Sequence, residues 1–194
     1  MKLTLDAIRK QHFFILFVII SLSGVLTSCL TVEKKQYTYM IEDDNSGTLT
    51  IKYINIFSMM DNGVNVSEAD FKELLETYIQ GDQIYQDYPG AENIKTNLFE
   101  ENGQLCGEVT LHFNDLNSAR LYQFDRSCPI MMNISTNFDS ETFQSSNGEY
   151  GNEHMPVVFW RQGSKKLIVT TSVTIPDESS VSLVNEFRKW QNIK

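Results

Sequence analysis

Ile94-Lys95-Thr96-Asn97-Leu98-Phe99-Glu100-Glu101-Asn102-Gly103-Gln104-Leu105-Cys106-Gly107-Glu108-Val109-Thr110-Leu111-His112-Phe113 reads as two extended arms around a tight turn. Asn-Gly suits a type I′ hairpin turn, which needs a positive φ at both central positions. The first arm is Ile94 to Phe99 and the second is Gln104 to Phe113. Leu105, Val109, Leu111 and Phe113 share one face of the second arm with Gly107, while Cys106, Glu108, Thr110 and His112 share the other. A clean apolar/polar alternation describes an antiparallel sheet with one side on a core and one side wet.

The same signals recur on either side. Tyr37-Thr38-Tyr39-Met40-Ile41 alternates, Glu42 to Gly47 is turn chemistry, and Thr48 to Ile56 is a β-rich run, so these residues form a first hairpin. Within it Leu49, Ile51 and Tyr53 share a face, but Ile54 and Ile56 fall on the other. Either that end of the strand is covered on both sides or a bulge shifts its register. Ser67 can cap a helix whose stripe is Phe71, Leu74, Leu75, Tyr78 and Ile79, stopped by Gly81. Asp115 can cap a short helix running to about Phe124. Pro156 to Trp160, a turn at Gln162-Gly163, and Lys166 to Ile175 form a third hairpin. A last helix starts near Ser179 or Ser180, with Leu183, Val184, Phe187 and Trp190 on one stripe. The turns fall near residues 46, 102 and 163, spaced 56 and 61 apart, a rhythm that suggests a ββα triplication without any residue-level repeat. The expected architecture is α+β: an antiparallel sheet built from three hairpins, with two or three helices on one face. Asp125 to Met155 is the least regular part. It reads as a long exposed loop with a short strand at Ile130 to Ile134, and as the expected contact for an envelope protein or glycan partner.

Composition narrows the function classes. The 194 residues include 12 Phe, 8 Tyr and 2 Trp, enough aromatic bulk for a core. Residues 1–28 carry three basic side chains and one acid; the remaining 13 basic and 24 acidic residues leave −11. Phosphate backbones are bound by clustered Lys and Arg, so this balance argues against a nucleic-acid partner.

The basic residues sit at the start for a reason. Lys2, Arg9 and Lys10 precede the apolar run Phe13 to Ile20, which is far shorter than the ~20 residues a bilayer span requires. A positive region, a short apolar run and small residues before a cut site make a signal peptide. Leu26-Thr27-Ser28-Cys29 resembles the bacterial lipobox. The resemblance implies that residues 1–28 are a lipoprotein signal peptide, that the Cys29 thiol is joined to diacylglycerol, and that the new amine is acylated, with palmitate the expected chain. Ser28 and the Asn- and Ile-rich mature chain resemble lipoproteins of Bacteroidetes-type bacteria. Leu30 stands where enterobacterial inner-membrane lipoproteins have Asp, which implies the outer membrane. Only Glu33, followed by Lys34 and Lys35, stands where surface-exported lipoproteins carry an acidic cluster, which implies the periplasmic leaflet. Residues 29–36 are then the lipidated Cys and a short tether, and residues 37–194 a single α+β domain. Its plan resembles several small envelope lipoproteins with hairpin–helix cores.

The remaining thiols, Cys106 and Cys128, are expected to form a disulfide, which the oxidising periplasm permits. Closing that loop would contribute ~3 kcal/mol in the chain-entropy model. The alternative is two buried thiols packed as small apolar residues.

Catalytic chemistry is harder to find. The mature chain has two histidines, His112 and His154, and no nucleophile elbow. Cys106 and His112 lie six residues apart on one strand, ~20 Å, too far to act as a pair. Asp125, Arg126, Glu153 and His154 are the one plausible hydrolase cluster. Cys128, Met131, Met132, His154 and Met155 are soft donors of the kind that suit copper(I), although no repeated ligand spacing accompanies them. The expected function is therefore a non-enzymatic binding or assembly module at the outer membrane, with no catalytic residue, metal or cofactor. A periplasmic hydrolase built in the 125–155 loop and a copper-handling lipoprotein are the alternatives.

Overall fold

The computed structural model describes residues 29–134 and 141–193. Residues 1–28, with the signal-peptide features and the first three lipobox positions, lie outside them. Ten strands follow in order: β1 (Leu30–Ile41), β2 (Gly47–Met59), β3 (Glu92–Glu101), β4 (Gln104–Phe113), β5 (Ile130–Asn133), β6 (Thr142–Ser146), β7 (Glu149–Asn152), β8 (Met155–Trp160), β9 (Lys166–Ser172) and β10 (Ser180–Ser182). The helices are α1 (Ser67–Glu73), continued as a π-helix over Leu74–Ile79, then α2 (Gln83–Asp87) and α3 (Val184–Ile193). The chain is an antiparallel α+β fold.

The seven-stranded main sheet runs β3-β4-β2-β1-β9-β6, with β10 on the far end of β2. A second, three-stranded sheet runs β5-β8-β7. The Asn102-Gly103 turn forms as its sequence dictates, with φ of 52° and 76°, and it pairs Glu101 with Gln104. The first hairpin also forms, in one continuous register from Leu30↔Ser58 to Ile41↔Gly47. β1 therefore begins at Leu30, and Thr31–Gln36, expected as a tether, are strand.

Asn55 accounts for the odd face of Ile56. Its φ of 58° is a left-handed backbone inside β2, which interrupts the alternation. Tyr53 and Ile56 then both face the core side, three positions apart. A Cβ built on Gly107, which pairs with Tyr53, would lie 3.2 Å from Ile56 Cδ1.

Both apolar clusters among the described residues pack against one face of the main sheet, while Cys106 and Phe57 are buried outside them. Leu105 belongs to a cluster with Val32, Ile56, Phe71, Leu74, Leu183 and Phe187, under α1 and α3. Val109, Leu111 and Phe113, on the same face of β4, belong to a second cluster. That cluster includes Tyr37, Tyr39, Leu49 and Ile51, and it is closed by Ile84 and Tyr88 near α2 and by Ile130, Met132, Val158 and Trp160 of the small sheet. The opposite face shows the polar set, Thr50, Thr110 and Lys52 among it.

Four expectations are corrected here. The third hairpin does not form: β8 pairs with β5 and β7, whereas β9 pairs with β1 and β6. The turn near Gly163 is present, but it carries the chain from one sheet to the other. Turn residues specify a reversal of direction and not a hydrogen-bonding partner; β1 offered a free edge that β9 fills. With that hairpin the triplication goes too. The segment after Asp115 is a single turn, ended by Arg120 at φ 60°, so no helix reaches Phe124. Within Asp125 to Met155 the strand expected at Ile130 to Ile134 forms as β5, with Ile130 and Met132 buried, but from residue 141 onward β6 and β7 stand where a loop was expected. Finally, the last helix starts at Val184, because Ser180–Ser182 is taken up by pairing with β2.

Local caps are reassigned in the same way. Ser67 is the first helical residue of α1, and the Asn65 side-chain oxygen accepts its backbone N–H at 3.0 Å. One turn on, the buried Asp70 carboxylate accepts the Ser58 hydroxyl at 2.5 Å, fastening α1 to β2.

The two sheets are joined by Asn147. Its side-chain oxygen accepts Trp160 Nε1–H and the Ile168 backbone N–H, both at 2.8 Å, and its amide donates to the Lys166 carbonyl at 2.9 Å. Asn147→Ala would leave the indole N–H of a Trp160 that is 3% exposed without its partner. The expected cost is about 2 kcal/mol, read as a lower urea midpoint at unchanged slope. An unchanged midpoint would show that the sheets are held by apolar packing alone.

Candidate functional site

Between the two core clusters the main sheet leaves a cavity of about 270 Å³. Gly107 opens it. Every other core-facing position of β4 bears a large side chain, and Gly107 is buried with an ordinary φ, so space and not backbone strain explains the glycine there. Tyr53 lies opposite, and the π-helix forms the roof through Leu74, Tyr78 and Ile79. The wider π turn is marked by the Gln80 N–H donating to the Leu75 carbonyl at 2.9 Å, five residues back. Most of the lining is aliphatic, with polar residues at Thr31, Lys35, Asp87, Asn97 and Glu108 and the tyrosines Tyr53 and Tyr78.

Lys35 leads to a buried polar network. Glu141, its side chain only 5% exposed, receives Lys35 Nζ at 2.7 Å. It also accepts the Tyr37 hydroxyl at 3.0 Å and the Thr171 hydroxyl at 2.5 Å. Register explains the convergence: Lys35 pairs with Thr171 across β1 and β9, and Glu141 stands just before β6, which pairs with β9. Each carboxylate lone pair that burial strips of water finds a donor. Lys35 also lies 5.6 Å from the Tyr53 ring centre.

Tyrosines surround this network. Burial, and then the Glu141 carboxylate, push the Tyr37 hydroxyl well above the ordinary tyrosine range. Burial does the same to Tyr39 and Tyr53. Tyr88 is pushed up to about 12 by burial, partly offset by Arg120, whose guanidinium sits 4.8 Å over its ring.

The site residues anticipated from sequence lie elsewhere and apart. Asp125 closes its own turn, accepting the backbone N–H groups of Ser127 and Cys128 at 2.7 and 3.1 Å; these bonds and the Ser127 hydroxyl hold its carboxyl below the usual range. Arg126 stands beside it, exposed. Glu153 and His154 form the β7–β8 tip, where Asn152 accepts the His154 backbone N–H at 2.9 Å. Since Ile130 pairs with Trp160 and Asn133 with Val157, the two pairs of residues occupy opposite ends of the small sheet. The length of β8 separates them, about 17 Å at strand rise. Cys128 and Met155 are split by the same distance, and Met132 is core, so the copper donors do not converge either. Among the described residues no group of three or more His, Cys, Asp and Glu could hold a metal.

Cys106 and Cys128 are free thiols. Cys106 is buried at the start of β4. Cys128 lies at its other end, because Gln123 donates to the Cys128 carbonyl at 2.8 Å and receives Asn45 of the β1–β2 turn at 3.5 Å. The length of β4 separates them by roughly 20 Å, against the ~6 Å between Cα atoms that a disulfide spans. His112 sits on the polar face of β4, away from the cavity. The Cys29 carbonyl accepts the Met59 N–H at 2.8 Å, docking that residue onto the end of β2. Comparisons with family models, curated proteins and solved structures find no match for this chain, so the cavity is interpreted through its own geometry.

Sequence reasoning noted Gly107 on the apolar face but passed over it; a lone glycine among large core residues was the available signal. Glu141 carried none, since its partners come from strands 30 and more residues away.

The tyrosines make a pH prediction. A hydroxyl whose folded pKa is raised favours the fold fully below its unfolded value near 10, and that contribution is lost as pH rises toward the folded value. Tyr37, Tyr39, Tyr53 and Tyr88 together should cost about 5 kcal/mol of stability per pH unit above 10. Alkaline unfolding is therefore expected between about pH 10 and 12, with tyrosinate absorbance rising in step with loss of circular dichroism. Smooth ionisation of all tyrosines ahead of unfolding would contradict it.

Proposed function

We propose that this chain is a lipid-anchored protein of the bacterial cell envelope, held by Cys29 at the outer membrane and facing the periplasm. Its domain is a non-enzymatic binding module, and the cavity opened by Gly107 is the binding site. The observation that carries the reading is the cavity itself: a partly open, largely aliphatic space with a few hydroxyl and charged groups, the usual make-up of a small-molecule site. The ligand class is a small, mostly apolar molecule bearing one or two hydrogen-bonding groups. The anchor is supported by the lipobox resemblance.

Two experiments test the two halves. Labelled palmitate should enter the wild type and not Cys29→Ser; label retained in the variant would remove the anchor. For the cavity, the neutral probe N-phenyl-1-naphthylamine should bind at one site and brighten. Gly107→Val places its added atoms against the flexible ends of Ile56 and Leu98, 3.2 and 3.4 Å from the new Cβ. It should weaken probe binding about tenfold while the domain remains folded by circular dichroism. Equal binding by a folded Gly107→Val protein would place the probe elsewhere and sink the cavity reading.

A further inference from the structure

Because β1 starts at Leu30, the residue that follows Cys29, the end of the sheet beside Cys29 has no spacer between it and a lipid on that cysteine. The side chains clustered at that end are unusual for a wet surface. Met60 is 37% exposed, Val64 61% and Ile175 81%. All three are placed there by hydrogen bonds: Met59 N–H to the Cys29 carbonyl, Met60 N–H to the Ser179 carbonyl, Asp61 and Val64 in a reciprocal backbone pair, and Thr174 N–H to the Val32 carbonyl. The Thr31 and Thr174 hydroxyls, 2.7 Å apart, hold the Ile175 segment against the first turn of chain after the anchor. Single exposed apolar residues are commonplace; these three lie at the end of the sheet that Cys29 joins.

We infer that this end of the domain is a membrane-docking surface, in which Met60, Val64 and Ile175 enter the interfacial layer of the bilayer that holds Cys29. The inference rests on the lipid anchor proposed above and adds that the domain lies on the membrane instead of swinging from it. The occupant is a bilayer of stated charge. Asp61, Glu68, Asp177 and Glu178 ring the apolar side chains and are exposed, while the nearby cations Lys34 and Lys72 are paired with Glu33 and Glu76. An acidic rim is repelled by anionic headgroups, so the surface fits zwitterionic lipid. Partial burial of three apolar side chains is enough to hold a domain already confined by its anchor, because confinement removes the cost of finding the surface.

The test uses the mature lipidated protein in phosphatidylcholine vesicles, footprinted by hydroxyl radicals from the water side. Met60, Val64 and Ile175 should each label several-fold more slowly than the same residue in mature protein without lipid on Cys29, while Met155 and Phe124, which are 48% and 75% exposed, label equally in both. A flexible Gly/Ser insertion of about 20 residues between Cys29 and Leu30 separates docking from enforced proximity. Protection should survive the insertion, and should fall when Met60, Val64 and Ile175 are all changed to Ser in that longer protein, or when about a third of the lipid is made anionic. Lipidated protein whose three residues label as fast as in the protein without lipid, or whose protection vanishes with the insertion alone, overturns the docking surface and leaves the anchor standing. Protein recovered without lipid mass overturns the anchor, and the docking surface with it.

Discussion

β1 is hydrogen-bonded along both edges, to β2 over almost its whole length and to β9 from Lys34 to Met40. Everything else in the fold is arranged by that double pairing. It brings residues 30–41 beside residues 166–172, so two strands far apart in sequence meet in the middle of the sheet. It lines up Lys35 and Tyr37 with Thr171, making the pocket of donors into which Glu141 fits. It also leaves β8 without β9 as a partner, and a second sheet assembles around β8 from β5 and β7, which both precede it in sequence. Burial of one face of this sheet then recruits α1 and α3 at one end and the small sheet at the other.

The cavity and the buried carboxylate follow from two departures from ideal patterning. Asn55 puts Ile56 on the core side and Gly107 withholds a side chain opposite Tyr53. Either residue exchanged for an ordinary strand former would favour a denser core. Glu141 is the reverse case, a charge carried into the interior and made tolerable because Lys35, Tyr37 and Thr171 all donate to it. Removing one member of such a set exposes the others to the full desolvation cost, so the group behaves as a unit that specifies how β6 and β9 meet.

How much of this was legible in the sequence depends on the range of the interaction. Asn102-Gly103, the β1–β2 alternation and the stripe of α1 act through neighbours a few positions away, and all three are where their residues indicate. The hairpin expected around Gly163 failed because Val157–Trp160 and Leu167–Val169 have the same alternation whether they pair with each other or with distant strands; only the free edge of β1 decides. Asp125 to Met155 looked irregular because its strands are four or five residues long, too short to show a period. For the candidate site, the aliphatic walls belonged to patterns already read as core, so nothing in them announced an empty space. The clusters that sequence proximity suggested, Asp125 and Arg126 with Glu153 and His154, are pulled to opposite ends of β8 by a sheet that local spacing could not disclose.

The position of β1 also has a mechanical consequence. A pull on Cys29 acts along the axis of a strand flanked on both sides. In antiparallel pairing the hydrogen bonds lie perpendicular to the strand, so such a pull shears both ladders at once instead of peeling one bond at a time. Unfolding from that end must break the two ladders together, and the load spreads across the middle of the seven-stranded sheet before it reaches the helices. The last helix offers the contrast: a pull on Ile193 would strip α3 away without touching the ladders of β1. Tension applied through Cys29 therefore meets the stiffest part of the described fold, and tension applied through Ile193 meets one of the softest.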